Sequence, residues 1–233
     1  MSSDHKPISH RNINPFVCST HDFIQERSFL STKVFPVLQT LCQQRAAYFQ
    51  PYDWDDDLSE DRLKQGLALH LALKCINFAS PYFICLLGNQ YGHHRPEESE
   101  VLPSRLSDLP PDAHWIDKNM VIAAENGFKW ILDHSYAHTS LTELKIIQAA
   151  FLSDETKFCR FYIRDQVIAT NSVTALEKYD KFKLQQLKAN IAKRGLYVSY
   201  YTTLEHLGEL VLADWTAIIN QLYPPFSSLS IGR

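Results

Sequence analysis

Residues 80–92 read SPYFICLLGNQYG, and this stretch decides the fold. Its centre, 82–87, contains six apolar or aromatic residues between Pro81 and Gly88. The run is too short to span a bilayer and has no polar face, which is typical of a central strand in a parallel sheet that helices cover on both sides. Burial of six such side chains contributes about 10–15 kcal/mol, comparable to the net stability of a domain.

The chain on either side of this strand alternates between short apolar runs and amphipathic helical patterns. This alternation predicts a three-layer α-β-α fold with a mostly parallel, five-stranded sheet. The other predicted strands are 13–19, 47–52, 158–163 and 197–201, and the predicted helices are 22–45, 62–78, 140–151, 176–194 and a last helix that ends before Pro224.

Three local signals add detail to the predicted helices. Asp22 is the expected N-cap of the first helix, and Pro36 is expected to kink that helix because it frees the carbonyl of Thr32. Thr202 and Glu205 have the spacing of a capping box, which predicts the start of the last helix.

The length of 233 residues suits one domain. We expect a disordered tail at 1–12, a single α/β domain at 13–224 and a tail at 225–233. Residues 93–126 are rich in Pro, Ser, Glu and Asp and sustain no period, which predicts a loop insertion.

The composition argues against several classes of partner. The net charge is −3, so no basic field favours nucleic acid. The N-terminus lacks the apolar core of a signal peptide, and polar residues interrupt the apolar run at 67–88, so we expect no membrane insertion and a cytoplasmic location. The five cysteines form no CxxC pair, which predicts buried, reduced thiols.

In a parallel α/β sheet, ligands bind beyond the carboxyl ends of the strands. The sequence therefore predicts which side chains gather there. They are Ser19, Thr20 and Asp22 after the first strand, Asp53 and Trp54 after the second, and Gly88, Asn89 and Tyr91 after the third; Glu143 is expected to reach the same edge. The candidates for nucleotide binding among them are Ser19, Thr20, Asp22, Trp54 and Tyr91.

Several of these residues have simpler interpretations. Asp22 can serve as a helix cap, and Ser140 with Glu143 has the spacing of a capping box. Ser19 and Thr20 would bind phosphate only if their loop presents N–H groups at a helix N-terminus. Trp54 or Tyr91 could stack on a base.

The common catalytic motifs are missing from the sequence. It contains no GxxxxGK[ST], GxGxxG or GxSxG pattern. The acidic run at 53–61 lacks the glycine of a calcium loop, so a solvated loop is expected. His134 and His138 have a metal-binding spacing on a helix but lack a convincing third ligand, so we predict no metal site and no resident cofactor.

The motifs PFVCST, DFIQER, YDWDDD, SPYFICLLGNQYG, SLTELKI and RFYIRD occur in this order across 13–224. In order and spacing the chain resembles the TIR-like domain that precedes the NACHT ATPase in telomerase-associated, NACHT–WD-repeat and related tetratricopeptide-repeat proteins. The resemblance implies a TIR- or flavodoxin-like fold. The chain has lost one residue in the first loop. It reads YDWDDD where the family has RWG, and it has Lys145 where the family has a second glutamate.

The resemblance implies two functions. The first is a non-catalytic signalling module that associates with itself or with a protein partner. The second is an NAD or nucleotide hydrolase, since TIR domains that cleave NAD use a glutamate for which Glu143 is the best match. Such a carboxylate would stabilise the oxocarbenium-like charge as nicotinamide departs.

Overall fold

Five parallel strands form the sheet at the centre of the molecule. The structure, a computed structural model, describes residues 11–53, 60–96, 101–165 and 175–225, without the side chains of 53, 60–62 and 175. Within these residues the strands are β1 (Asn12–Ile13), β2 (Phe16–Cys18), β3 (Tyr48–Phe49), β4 (Tyr52–Asp53), β5 (Tyr82–Leu87), β6 (Phe158–Arg164) and β7 (Tyr197–Tyr201).

The order of the strands in the sheet is β4-β2-β5-β6-β7, and every pairing is parallel. The short strands β1 and β3 form a second parallel pair. This is the doubly wound order of flavodoxin-like folds, in which the chain reverses its direction across the sheet between the first and third strands, here β2 and β5. The predicted three-layer α/β fold is confirmed.

Helices cover both faces of the sheet. The helices of the described residues are α1 (Ile24–Phe29), α2 (Phe35–Gln43), α3 (Glu60–Gln65), α4 (Ala68–Ala79), α5 (Trp115–Glu125), α6 (Leu141–Ile146), α7 (Ala175–Lys193) and α8 (Leu204–Leu222). Along β5, Phe83, Cys85 and Leu87 pack against α4 to α7, and Ile84 and Leu86 pack against α2 and α8. The predicted central strand is therefore buried on both faces.

The first helical segment differs from the single kinked helix that the sequence predicts. A 3₁₀ turn at His21–Phe23 precedes α1, and a π-helical turn at Leu30–Val34 joins α1 to α2. Pro36 lies in the first turn of α2, and the Phe35 N–H donates to the carbonyl of Leu30. Because Pro36 has no N–H, the wider turn takes the place of the expected kink.

Two predicted helix starts are wrong by one or two residues. The N-cap of the first turn is Thr20, and Asp22 lies inside that turn. The N-cap of α8 is Thr203, whose hydroxyl accepts from the N–H of His206 at 3.1 Å. In both places several adjacent residues have side chains that can cap, so composition alone does not fix the position.

The segment 62–78 forms two helices where the sequence predicts one. Gly66 has φ +81° and separates α3 from α4. A Cβ at this position would lie 2.8 Å from Cδ1 of Ile122, so the close approach of α5 also requires glycine.

Residues 115–125 form a buried helix inside the segment that the sequence predicts to be a loop. In α5, Ile116, Met120 and Ala123 are spaced i, i+4, i+7 and pack into the core. The polar residues before Trp115 conceal this period in any longer window. The Asn119 side chain is fully buried, accepts from the Leu69 N–H at 3.0 Å and donates to the Leu63 carbonyl at 2.8 Å. It therefore joins α5 to the junction of α3 and α4.

Candidate binding cleft

A cleft of about 570 Å³ lies where the chain leaves the carboxyl ends of β2 and β5. We call it the strand-end cleft. It is the crevice that a doubly wound sheet opens at the point where strand order reverses. Its polar lining consists of Ser19, Thr20, His21, Arg27, Ser28, Ser31, His93, Thr142 and Lys145.

Two cations lie in the wall of the strand-end cleft. Arg27 comes from α1 and is 8% exposed, and Lys145 comes from α6 and is 9% exposed. Among the described residues that line the cleft there is no aspartate or glutamate. The described lining of the cleft therefore carries two positive charges, although the chain as a whole carries a net charge of −3.

Gly92 fixes the close packing of one side of the cleft. It has φ +93°, and a Cβ there would lie 2.9 Å from Oγ1 of Thr142 and 3.3 Å from Cγ2 of Thr20. Only glycine adopts this φ and lies this close to Thr142 and Thr20 without strain. The loop after β5 is thereby held against both the loop after β2 and the start of α6.

Aromatic rings surround the entrance. His21 and His93 stack with ring centroids 5.5 Å apart, and Trp115 meets His93 edge-on at 5.3 Å. Burial lowers the pKa of His93, and the neighbouring His21 and His114 lower it further. His93 is therefore neutral at pH 7, so the permanent charge of the cleft comes from Arg27 and Lys145.

Asp22 lies outside the strand-end cleft. Its Oδ2 is 3.4 Å from Nη1 of Arg164, and the same guanidinium contacts Oε1 of Glu26 at 2.5 Å. Arg164 also lies over the Phe23 ring, 4.1 Å from its centroid. These contacts attach the first helical turn to the end of β6. Asp22 also accepts a hydrogen bond from the hydroxyl of Thr20, which lines the cleft.

Glu143 also lies outside the cleft. It borders a separate cavity of about 290 Å³ together with Lys183 and Arg194. On α6, Thr142 and Lys145 are three residues apart and share one face, whereas Glu143 lies on the opposite face. Glu143 therefore meets the loop after β5 at Tyr91, but it does not line the strand-end cleft.

Tyr91 occupies the space between Glu143 and the start of α6. Its hydroxyl donates to Oε2 of Glu143 and accepts from the Ser140 N–H at 3.2 Å. The Ser140 hydroxyl accepts from the Glu143 N–H at 3.1 Å. Half of the predicted capping box is therefore present, and the Tyr91 hydroxyl replaces the Glu143 carboxylate as the acceptor for Ser140.

The surroundings of Glu143 and Tyr91 shift the pKa of both side chains. Burial raises the pKa of Glu143, although the hydrogen bond from Tyr91 and the charge of Lys183 act in the opposite direction. Burial and the adjacent Glu143 raise the pKa of Tyr91 well above its ordinary value. The Tyr91 side chain is only 1% exposed, so it presents no ring face on which a ligand could stack.

Of the residues predicted for the site, the structure brings Ser19 and Thr20 into the cleft and leaves Asp22, Tyr91 and Glu143 out of it. Trp54 lies outside the described residues. Sequence reasoning missed Thr142 as a cleft residue, interpreted Arg27 as a residue that pairs with neighbouring loops at the sheet edge, and treated Lys145 only as a departure from the resembling family. The face shared by 142 and 145 was the available signal, since three-residue spacing aligns side chains on a helix.

The described residues show no group of three histidine, cysteine or acidic side chains that could hold a metal ion. His134 lies in a 3₁₀ turn at His134–Tyr136, so the α-helix that a His134–His138 pair requires is not formed. In the described part of the chain no helix is both long and apolar enough to cross a membrane.

Comparison with known proteins finds relatives along almost the whole chain. The chain is 35% identical over 247 aligned positions to tetratricopeptide repeat protein 41 of Rattus norvegicus, and equally so to that of Mus musculus; in both cases 94% of this chain is covered. A TPR repeat-containing protein of Dictyostelium discoideum is 23% identical over 226 positions. No family description matches the chain, and no solved structure matches it.

This chain is therefore related to part of tetratricopeptide repeat protein 41. It spans about a fifth of the length of that relative, 19% in rat and 18% in mouse. The tetratricopeptide repeat is a pair of helices that recurs about every 34 residues. The parallel sheet of this chain has a different architecture from the repeat after which its relatives are named.

Proposed function

We propose that this chain is a TIR-like protein-interaction module of a larger regulatory protein and that it does not cleave NAD. The observation that carries the proposal is the position of Glu143. It lies outside the strand-end cleft and accepts a hydrogen bond from the buried Tyr91 hydroxyl.

Cleavage of the bond between nicotinamide and ribose develops positive charge on the sugar, which a carboxylate stabilises. The described lining of the strand-end cleft provides cations and neutral polar groups instead. Arg27 and Lys145 would raise the energy of such a transition state. The charge of the cleft therefore argues against this reaction.

Two features support a role in protein association. The relatives are about five times longer than this chain and carry a repeat in their names that elsewhere builds extended binding surfaces. In the described part of the sheet, β7 is an outer strand, and its Tyr197 and Tyr200 side chains are exposed. An outer strand offers backbone groups to a partner.

The decisive experiment is an NAD cleavage assay at high protein concentration, combined with sedimentation velocity over a wide concentration range. We expect no nicotinamide release above the buffer rate from either the wild type or Glu143→Gln, and a sedimentation coefficient that rises with concentration. Nicotinamide release that is lost in Glu143→Gln would overturn the non-catalytic role. A monomer at every concentration would overturn self-association.

A further inference from the structure

We propose that β7 pairs antiparallel with β7 of a second copy of this chain, so that the two sheets join across a two-fold axis at Ser199. The proposal rests on the interaction role proposed above and names its partner and its surface. In the described sheet β7 is an outer strand, and its Tyr197 and Tyr200 side chains are 49% and 59% exposed. An outer strand is the place where a sheet accepts a further strand.

A hydrogen bond at the end of β7 shows which of its backbone groups point away from the sheet. The Tyr201 carbonyl accepts from the Asp165 N–H at 2.8 Å, so residue 201 turns its backbone groups towards β6. Because these groups alternate between the two sides of a strand, Val198 and Tyr200 direct their N–H and C=O groups outwards. These two residues therefore offer their backbone groups to a partner.

The spacing of the outward groups determines the register with a second copy. In antiparallel pairing, two residues that lie opposite each other exchange both of their N–H···O=C bonds. When Ser199 lies on the two-fold axis, Val198 lies opposite Tyr200 of the second copy, and every outward group of β7 is paired. A shift in either direction would use Leu196, whose N–H is already bonded within the chain, or Thr202, which lies beyond the end of β7.

The composition of β7 suits it to pairing. Its sequence, YVSYY, contains no charged residue and no proline, which are the usual protection of an outer strand. The outer strand on the other side of the sheet, β4, has both kinds of protection, since it contains only Tyr52 and Asp53 and follows Pro51. Across the axis Tyr197 lies opposite Tyr201 of the second copy, and aromatic pairs of this kind stabilise antiparallel strands.

The charges that flank β7 favour a second copy in the antiparallel orientation. Lys193 precedes the start of β7 and Glu205 follows its end, and both side chains are exposed. Antiparallel pairing about a two-fold axis brings the start of each strand beside the end of the other, so lysine approaches glutamate at both ends. Parallel pairing of two copies would bring like charges together. The flanking charges are therefore complementary only in the antiparallel arrangement.

A cysteine on the axis tests this register. Residue 199 would lie opposite itself as a non-hydrogen-bonded pair, whose Cα atoms are about 4.5 Å apart, which is within the range of a disulfide. We expect Ser199→Cys to form a covalent dimer in oxidised glutathione: the two thiols lose their hydrogens and electrons, and the glutathione disulfide is reduced to two thiols. Ser107→Cys, at an exposed position outside the sheet, is the control and should cross-link no more than the wild type.

Tyr200→Lys tests the pairing without oxidation. The substitution places a charge opposite Val198 of the second copy, so we expect the dimer dissociation constant from sedimentation velocity to rise by about tenfold or more. Tyr48→Lys is the matched control, because it makes the same change at a side chain that is 62% exposed, and it should leave the constant unchanged. Circular dichroism checks that each variant is folded.

The results separate this pairing from the interaction role as a whole. If the wild type self-associates, equal cross-linking of Ser199→Cys and Ser107→Cys overturns the pairing and leaves self-association in place. Equal dissociation constants for the wild type and Tyr200→Lys do the same. A wild type that is monomeric at every concentration, as expected if a segment of a different protein covers β7, overturns both. The NAD cleavage assay bears on the non-catalytic role alone.

Discussion

The directions of single side chains decide which residues line the strand-end cleft. Glu143 and Lys145 are two residues apart on α6, yet one lies beside Tyr91 and the other lines the strand-end cleft. The sequence correctly places Ser19 and Thr20 at the edge of the sheet, because they directly follow a strand. It does not show that Glu143 faces away, since that depends on how α6 is rotated against β5 and its loop.

Tyr91→Phe tests the contacts of the buried hydroxyl. The change removes the acceptor of the Ser140 N–H and the donor to Glu143, so we expect unfolding to become easier by about 1–3 kcal/mol. Urea denaturation measures this difference. The control is Tyr48→Phe, because the Tyr48 side chain is 62% exposed. Equal midpoints for Tyr91→Phe and the wild type would show that the hydroxyl contributes no stability.

His70→Gln tests whether protonation of the buried His70 destabilises the protein at low pH. His70 is buried, its Nδ1 atom has no hydrogen-bond partner among the described residues, and burial, assisted by Lys74, lowers its pKa. The unfolded chain therefore binds a proton at His70 more readily, so stability falls as the pH drops through about 6.5. Between about pH 7.5 and about pH 5.5, the Tm of the wild type should fall further than the Tm of His70→Gln. Equal losses would contradict this assignment.

The helices illustrate what sequence patterns predict and what they omit. The apolar period correctly predicts helical structure at 141–151 and at α7, because each pattern covers most of the element. It misses α5, whose apolar face packs into the core beside α4. It also misses the break at Gly66, where both the φ of +81° and the close approach of α5 require glycine. The period of α5 is visible only in a window that begins at Trp115, and the approach of α5 to Gly66 is not visible in the sequence at all.

Asn119→Leu tests how α5 is joined to its neighbours. The substitution leaves the Leu69 N–H and the Leu63 carbonyl without the amide that bonds them, and we expect a loss of about 2–3 kcal/mol. Thermal unfolding followed by circular dichroism measures the loss. Asn190→Leu is the matched control, since Asn190 is exposed on α7. A similar Tm for both variants would contradict the structural role of Asn119.

At the scale of the whole molecule, the order of the strands creates the cleft. Because β2 pairs with β4 on one side and β5 on the other, the loops after β2 and β5 diverge and leave a crevice. The sequence predicts this architecture from the run at 82–87 and from the alternation of strands and helices. The charge of the crevice could not be predicted, because its two cations come from α1 and α6, more than one hundred residues apart.

Leu86→Asp tests the doubly covered sheet. The Leu86 side chain is fully buried in β5, so a carboxylate there would lose its hydration without a partner. We expect the variant to lose its cooperative unfolding transition. Phe182→Asp, at a side chain that is 56% exposed on α7, should unfold like the wild type. A folded Leu86→Asp protein would show that β5 is not the centre of the core.

The account depends most on Glu143 being held by Tyr91 outside the strand-end cleft. Release of nicotinamide from NAD by concentrated protein measures whether this carboxylate is catalytic. The account predicts release at the buffer rate by the wild type and by Glu143→Gln. Faster release by the wild type that disappears in Glu143→Gln would contradict it.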